Sequence, residues 1–399
     1  VFRLYNLASS TIDVAKLYMI QFPSRLQNQL NKRSVENSFR ELKLLGNMID
    51  FCSNDYLGFS RSEELNGEIS EHISQLTSKL NGATGSRLIS GNSELVVGLE
   101  GKISSFFSSE AALLFNSGYN ANQGVLSALP QRGDLIIYDE LAHASIKDGM
   151  RLSHADKISF KHNDLEDLES KLQKPAVDIY VVVESIYSMD GDLCPLKRLV
   201  DICTKHGANL IVDEAHSVGV IGNEGKGLCV AEEVQDDVFA RIYTFGKALG
   251  VHGASVVGSQ KLIDFLINFS RPFIYTTALP EHSVISMSCA IDFLSRADID
   301  RQNLTDNIAY FQSNMAKAKA EFRDQELDVV ESYSAIQGVI ISGNIKVKNT
   351  ALMLQDNGLD VRPILSPTVK SGTERLRICL HSYNTFDEID LLIQKIIDN

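Results

Sequence analysis

No stretch of this 399-residue chain stays apolar for the roughly 18 residues that a membrane-spanning helix needs, so no bilayer crossing is expected. The first 20 residues mix Arg3, Asp13 and Lys16 among apolar ones, which opposes a signal peptide. Six cysteines (Cys52, Cys194, Cys203, Cys229, Cys289 and Cys379) include no C-x-x-C pair. Their scatter argues against a zinc cluster or a disulfide framework, and no metal is expected. It fits buried or half-buried thiols in a reducing cytoplasm. Basic excess is missing too. A net charge of -13 and a pI near 5.2 oppose nucleic-acid or anionic-membrane partners. Neither a G-x-x-x-x-G-K-S/T phosphate loop nor a G-x-G-x-x-G fingerprint occurs. The run Asp213-Glu-Ala-His216 spells a helicase box, but without that loop it has no nucleotide to act on. Repeats, low-complexity tracts and Pro/Gly-rich linkers are also absent.

What is present reads as an ordinary globular protein, 44% apolar and 22% charged, long enough for more than one domain. From about residue 49 to 260, short β-branched runs alternate with helical patterns. The runs predict strands at Ala111–Phe115, Leu135–Tyr138, Ile158–Lys161, Ile179–Val183, Asn209–Val212, Arg241–Thr244 and Ser255–Val257. Between them lie segments such as Glu94–Phe107, where Leu95, Leu99 and Ile103 recur at helical spacing. The alternation predicts an α/β fold, a mostly parallel seven-stranded sheet with helices on both faces. Beyond about 290 the pattern changes. A helix over Asn303–Phe322, strands at Ser334–Ser342 and Arg375–Leu380 and a final helix predict a smaller α+β domain. The expected division is a polar, helical segment 1–48, a large domain 49–289 and a small domain 290–399.

The polar residues of interest follow predicted strands, where ligands of open α/β sheets gather. Lys247 lies in Thr244-Phe-Gly-Lys-Ala-Leu-Gly, flanked by small residues. A partly desolvated lysine there can form a Schiff base with a bulky aldehyde; a surface lysine at a helix start fits the motif equally. Asp213 ends the apolar run Leu210-Ile-Val. Its carboxylate needs a partner, either a protonated ring nitrogen or the cap of the next helix. His216 and Ser188 could reach a phenolic oxygen, or be satisfied polar residues. Asn116-Ser-Gly118-Tyr119 leads from a strand into a helix whose free N–H groups suit a phosphate. His143 could stack on a flat ring.

Taken together and in order, these segments resemble the α-oxoamine synthases, a family of fold-type I enzymes that use pyridoxal 5'-phosphate. The motifs are Phe51-Cys-Ser-Asn-Asp-Tyr-Leu-Gly58, Ser188-Met-Asp-Gly-Asp192, Asp213-Glu-Ala-His216, Thr244-Phe-Gly-Lys247 and Arg271-Pro-Phe-Ile-Tyr-Thr-Thr-Ala-Leu-Pro280. The resemblance implies that Lys247 carries the cofactor and moves protons at the substrate. Asp213 would pair with the pyridine nitrogen and His143 would stack on the ring. Ser188 and His216 would face the phenolic oxygen. Gly118, Tyr119 and Thr244 would hold the cofactor, with Thr276 or Thr277 reaching its phosphate from a second subunit of a homodimer. Arg377 and Asn54 would bind an amino-acid carboxylate. Arg40 and Thr368 match substrate-contacting positions. Ser86-Arg-Leu-Ile-Ser-Gly-Asn92, Ser334-Ala-Ile-Gln337 and Pro367-Thr-Val369 resemble the branch that joins L-alanine to a pimeloyl thioester. Other α-oxoamine synthases share most of these motifs, and a non-catalytic partner subunit is the alternative of another class.

Overall fold

The computed structural model describes residues 22–42, 44, 46–76, 80–321 and 328–398. Its strands are β1 (Ile49–Asp50), β2 (Ala111–Phe115), β3 (Leu135–Asp139), β4 (Asp156–Phe160), β5 (Ile179–Glu184), β6 (Asn209–Asp213) and β7 (Ala240–Thr244). There follow β8 (Ala254–Gly258), β9 (Asp328–Val329), β10 (Ile336–Ile340), β11 (Leu359–Asp360), β12 (Arg362–Ile364) and β13 (Arg375–Cys379). The large sheet has the order β2-β8-β7-β6-β5-β3-β4. Only β8 runs against its neighbours, pairing antiparallel with both β2 and β7. The seven runs read from the sequence are these seven strands.

Alternation along the strands divides the apolar residues between two layers. Ile136, Val182, Ile211 and Ile242 pack against Val125 and Ile146 of the Gly118–Ala128 and Ala144–Leu152 helices. Ile137, Val181, Val183 and Val212 face the other way, toward Leu168, Leu199 and Cys203 of the Leu165–Lys171 and Leu196–His206 helices. Both faces are covered, which is why these strands read as continuous apolar runs. The Glu94–Phe106 helix buries Val96, Leu99 and Ile103, whereas Leu95 points outward.

A second sheet, β12-β13-β10-β9, is antiparallel. The Asp298–Glu321, Asn344–Asp356 and Phe386–Ile397 helices accompany it, the last opened by a Thr385–Glu388 capping box. Phe322, the expected end of the long helix, lies outside the described residues. The short β1 pairs with β11, tying the chain near residue 49 to the C-terminal region. One apolar cluster runs from Leu99 and Ile103 through Val284 and Leu294 to Ile336 and Ile378, so the two sheets share a core. The expected 289/290 boundary falls inside the Glu281–Leu294 helix; the turn at 295–297 that follows is the proposed junction. In the N-terminal segment, only Ser24–Val35 is helical among the described residues, and none of that helix is buried. The expectation for residues 1–21 lies outside the described residues. All six cysteines are free, Cys52 half-buried and the others buried. Among the described residues no helix is long and apolar enough to cross a membrane.

Candidate active site

The parallel strands all end at one edge of the sheet, and the polar side chains converge there. Asn116 follows β2, His143 follows β3, Glu184 ends β5, Asp213 ends β6 and Lys247 follows β7. A hydrogen-bonded relay crosses the site from lysine to arginine. Lys247 Nζ lies 2.7 Å from His216 Nε2, and His216 Nδ1 lies 2.7 Å from the Tyr56 hydroxyl. Tyr56 donates to Asn54 Oδ1 at 3.0 Å, and Arg377 Nη2 donates to the same oxygen at 3.0 Å. Arg377 also donates from Nε to the Ser188 carbonyl at 2.7 Å and from Nη1 to Cys379 Sγ at 2.9 Å.

Electrostatics follow from burial. Desolvation lowers the Lys247 pKa to about 8, with Asp213 and Glu184 opposing it. Burial, then the neighbouring Lys247, holds His216 well below its ordinary value, so the ring is neutral. Burial also lowers His143. Desolvation and the adjacent Asp213 raise Glu184 to about 8, and its Oε1 accepts the His143 backbone N–H at 2.6 Å.

Beneath this lies a second network. Asn122, 2% exposed, donates to Asp213 Oδ2 at 2.7 Å and to Ser145 Oγ at 3.0 Å. Ser145 Oγ lies 2.7 Å from His143 Nδ1, and the other Asp213 oxygen accepts from the Ala215 N–H at 3.0 Å. Asp213 therefore has neutral donors only, and no ion pair engages Asp213, Lys247 or Arg377 among the described residues. Three buried or half-buried ionisable groups thus lie close together without an ion partner among the described residues, an arrangement that burial makes costly.

Most residues singled out in the sequence meet here: Asn54, His143, Ser188, Asp213, His216, Thr244, Lys247 and Arg377. Thr244 lies against Gly118, where an added Cβ would sit 3.3 Å from the threonine Cβ. Tyr119 is exposed and hydrogen-bonded to Asp148. Asn116 Nδ2 donates to the Thr277 carbonyl at 3.1 Å and to Thr276 Oγ1 at 3.4 Å, so both threonines lie beside the residue that follows β2. Arg40 and Thr368 are exposed, and no hydrogen bond or ion pair joins either to the relay. Tyr56, Asn122 and Ser145 were not singled out, whereas Glu184 heads the polar stretch that follows the Ile179–Val183 run. Tyr56 did lie inside the opening motif, so its signal was there; Asn122 and Ser145 show no local one.

The Aminotransferase class I and II family matches residues 46–396. Among curated proteins, 8-amino-7-oxononanoate synthase of Emericella nidulans is 37% identical over 391 residues, covering 93% of this chain and 94% of that protein. The enzyme of the same name from Marinobacter nauticus is 37% identical over 349 residues, covering 87% and 86%. Among solved structures, serine palmitoyltransferase from S. paucimobilis superposes with a TM-score of 0.84 at 26% identity, covering 94% and 96%. The 8-amino-7-oxononanoate synthase from Francisella tularensis superposes with a TM-score of 0.75 at 28% identity, covering 88% and 97%.

Proposed function

Because the chain belongs to the aminotransferase class I and II family, and within it to the α-oxoamine synthases, we propose that it joins L-alanine to a pimeloyl thioester. The products are 8-amino-7-oxononanoate, carbon dioxide and the free thiol, a step of biotin synthesis. The observation that carries this reading is the relay from Lys247 to Arg377, which sets a desolvated amine and an unpaired guanidinium in one site.

The enzyme's cofactor is pyridoxal 5'-phosphate, and the residues present fit it. Asp213 lacks a cation that a protonated ring nitrogen would supply. Lys247 offers a desolvated amine to the aldehyde. At Gly118 the absent side chain leaves a helix N-terminus open beside the Thr244 hydroxyl, as a phosphate requires. When bound, the cofactor supplies an electron sink for charge at the amino acid's α-carbon. His143 would cover one ring face, Ser188 and His216 would face the phenolic oxygen, and Tyr119 would line the phosphate end. The partner subunit's Thr277, or its neighbour Thr276, would complete the phosphate site in a homodimer.

The chain's own groups do the rest. Arg377 and Asn54 hold the amino-acid carboxylate, and the fixed guanidinium orients the α-carbon toward Lys247. Lys247 Nζ takes the α-proton and later returns one; a positioned base of this kind contributes about 10²–10⁴-fold. His216, neutral and accepting through Nε2, orients that amine, while Tyr56 fixes the ring's tautomer from the other nitrogen. Arg40 and Thr368 would contact the acyl substrate as it enters from the exposed side. Scattered reduced thiols support a cytoplasmic location.

Steady-state rates with pimeloyl-coenzyme A test the substrate assignment. L-alanine should exceed glycine in kcat/KM by about tenfold or more, since one methyl group carries that much discrimination. The close superposition on serine palmitoyltransferase favours a second reading with L-serine and another acyl chain. Preference for serine with an inert pimeloyl thioester would establish that reading and end the first.

A further inference from the structure

Of the Ser188-Met-Asp-Gly-Asp192 run, only Ser188 has a place in the proposed chemistry. Asp190 and Asp192 are nevertheless tied down, from opposite sides. Asp192 Oδ2 accepts from His162 Nε2 at 2.7 Å and from Asn163 Nδ2 at 2.8 Å. His162 Nδ1 lies 3.0 and 3.1 Å from the two oxygens of Asp139, which is fully buried at the end of β3. An imidazole with a carboxylate on each nitrogen satisfies both only by donating twice. Burial works against the resulting charge, but the bonds to Asp139 and Asp192 outweigh it and hold the His162 pKa at about 10.

The backbone around the histidine is committed to the same end. Asn163 adopts a left-handed conformation, φ 53°, of the kind retained where the surroundings over-determine it. Its amide also donates to the Leu193 carbonyl at 3.2 Å, and its N–H donates to Asp139 at 3.0 Å. The Tyr187 ring packs edge-on against His162 with centroids 4.4 Å apart. From the small-domain side, Asp190 pairs with Arg375 and the Ser188 carbonyl receives Arg377 Nε. Ser332 Oγ donates to the Gly191 carbonyl at 2.9 Å.

We propose that His162 is a positioning residue: by clamping Asp192 to Asp139 it fixes the 188–192 loop, whose other side aims Arg377, and so sets amino-acid affinity without touching the substrate. The kinetic part rests on the reading of Arg377 as the carboxylate holder. The loop bonds both the end of the large sheet and the two arginines of β13, so a slack clamp is felt at the guanidinium.

His162→Gln presents its two N–H donors from one nitrogen and cannot span both carboxylates. The KM for the amino acid should rise about tenfold, the worth of one charged hydrogen bond. The kcat should change far less, and the cofactor's visible absorbance should persist. Asp192→Asn keeps an oxygen toward the ring but removes the charge, and guards against loss of folding in the first variant. It should shift KM the same way. Nitrogen NMR of histidine-labelled wild-type protein, free of cofactor, should show both ring nitrogens of His162 protonated at neutral pH. A singly protonated ring, or an amino-acid KM unchanged in both variants, would overturn the proposal. A wild-type enzyme that ignores amino acids would instead sink the functional reading, and the nitrogen spectrum would still decide whether the clamp exists.

Discussion

The short contact between Lys247 and His216 constrains both residues. A neutral imidazole that accepts at Nε2 carries its proton on Nδ1, donates it to Tyr56 and leaves the Tyr56 proton for Asn54. The relay is therefore directional, and it ends on the group that Arg377 also grips. Lys247 is depressed to about 8 by burial, and only its free amine attacks an aldehyde. The rate at which unloaded enzyme captures pyridoxal phosphate should therefore rise as pH passes through about 8 and level off above it, followed by stopped-flow absorbance. A rate already level near neutrality would mean a more deeply depressed amine. Lys247, Asp213 and His216 were legible in the sequence because each closes or follows an apolar strand. Asn122 and Ser145 were not. Asn122 meets Asp213 across 91 residues of chain, and such a contact leaves no local pattern.

At the scale of elements, most of the strands that were legible are buried on both faces, where β-branched residues crowd together; the edge strand β4 is half-exposed. The short β9, β11 and β12 carry too few residues to show a period, and the Asn344–Asp356 helix is too polar to show an apolar stripe. Loop geometry was legible only as motif. Gly191 shows why that motif needs a glycine. Its φ is +76°, and an added Cβ would lie 2.2 Å from the Ile336 carbonyl and 2.5 Å from Ser332 Oγ. Gly191→Ala should cost more than about 2 kcal/mol. Gly207→Ala, at φ +64° with nothing within 4 Å, should cost about 1 kcal/mol, the backbone term alone. Denaturant titration of both variants checks the difference; equal losses would mean that the 188–192 loop yields freely.

At the scale of the whole molecule, several large apolar side chains are left open by the described residues of one chain. Ile89 is 84% exposed and Val97 54%, and Leu95, Tyr275 and the apolar residues of the Ser24–Val35 helix lie open as well. Large apolar side chains left open in this way fit an interface between subunits. The proposed homodimer gives them cover and gives Thr277 a role at the neighbouring site. Ile89→Asp should yield folded monomers, intact by circular dichroism, that have lost cofactor absorbance together with activity. Fully active monomers in sedimentation would remove the shared site from the account. None of this outward-facing design was legible in the sequence, because an apolar residue at helical spacing reads as core whichever way the helix turns it. Leu95 shares the helical spacing of the buried Leu99 and Ile103, yet it faces outward.

The central claim is that Lys247 carries the cofactor. Borohydride reduction of the enzyme loaded with pyridoxal phosphate, followed by peptide mass mapping, tests it most directly. The account predicts a pyridoxyl group on Lys247 and none elsewhere; modification of another lysine, or of none, would contradict it.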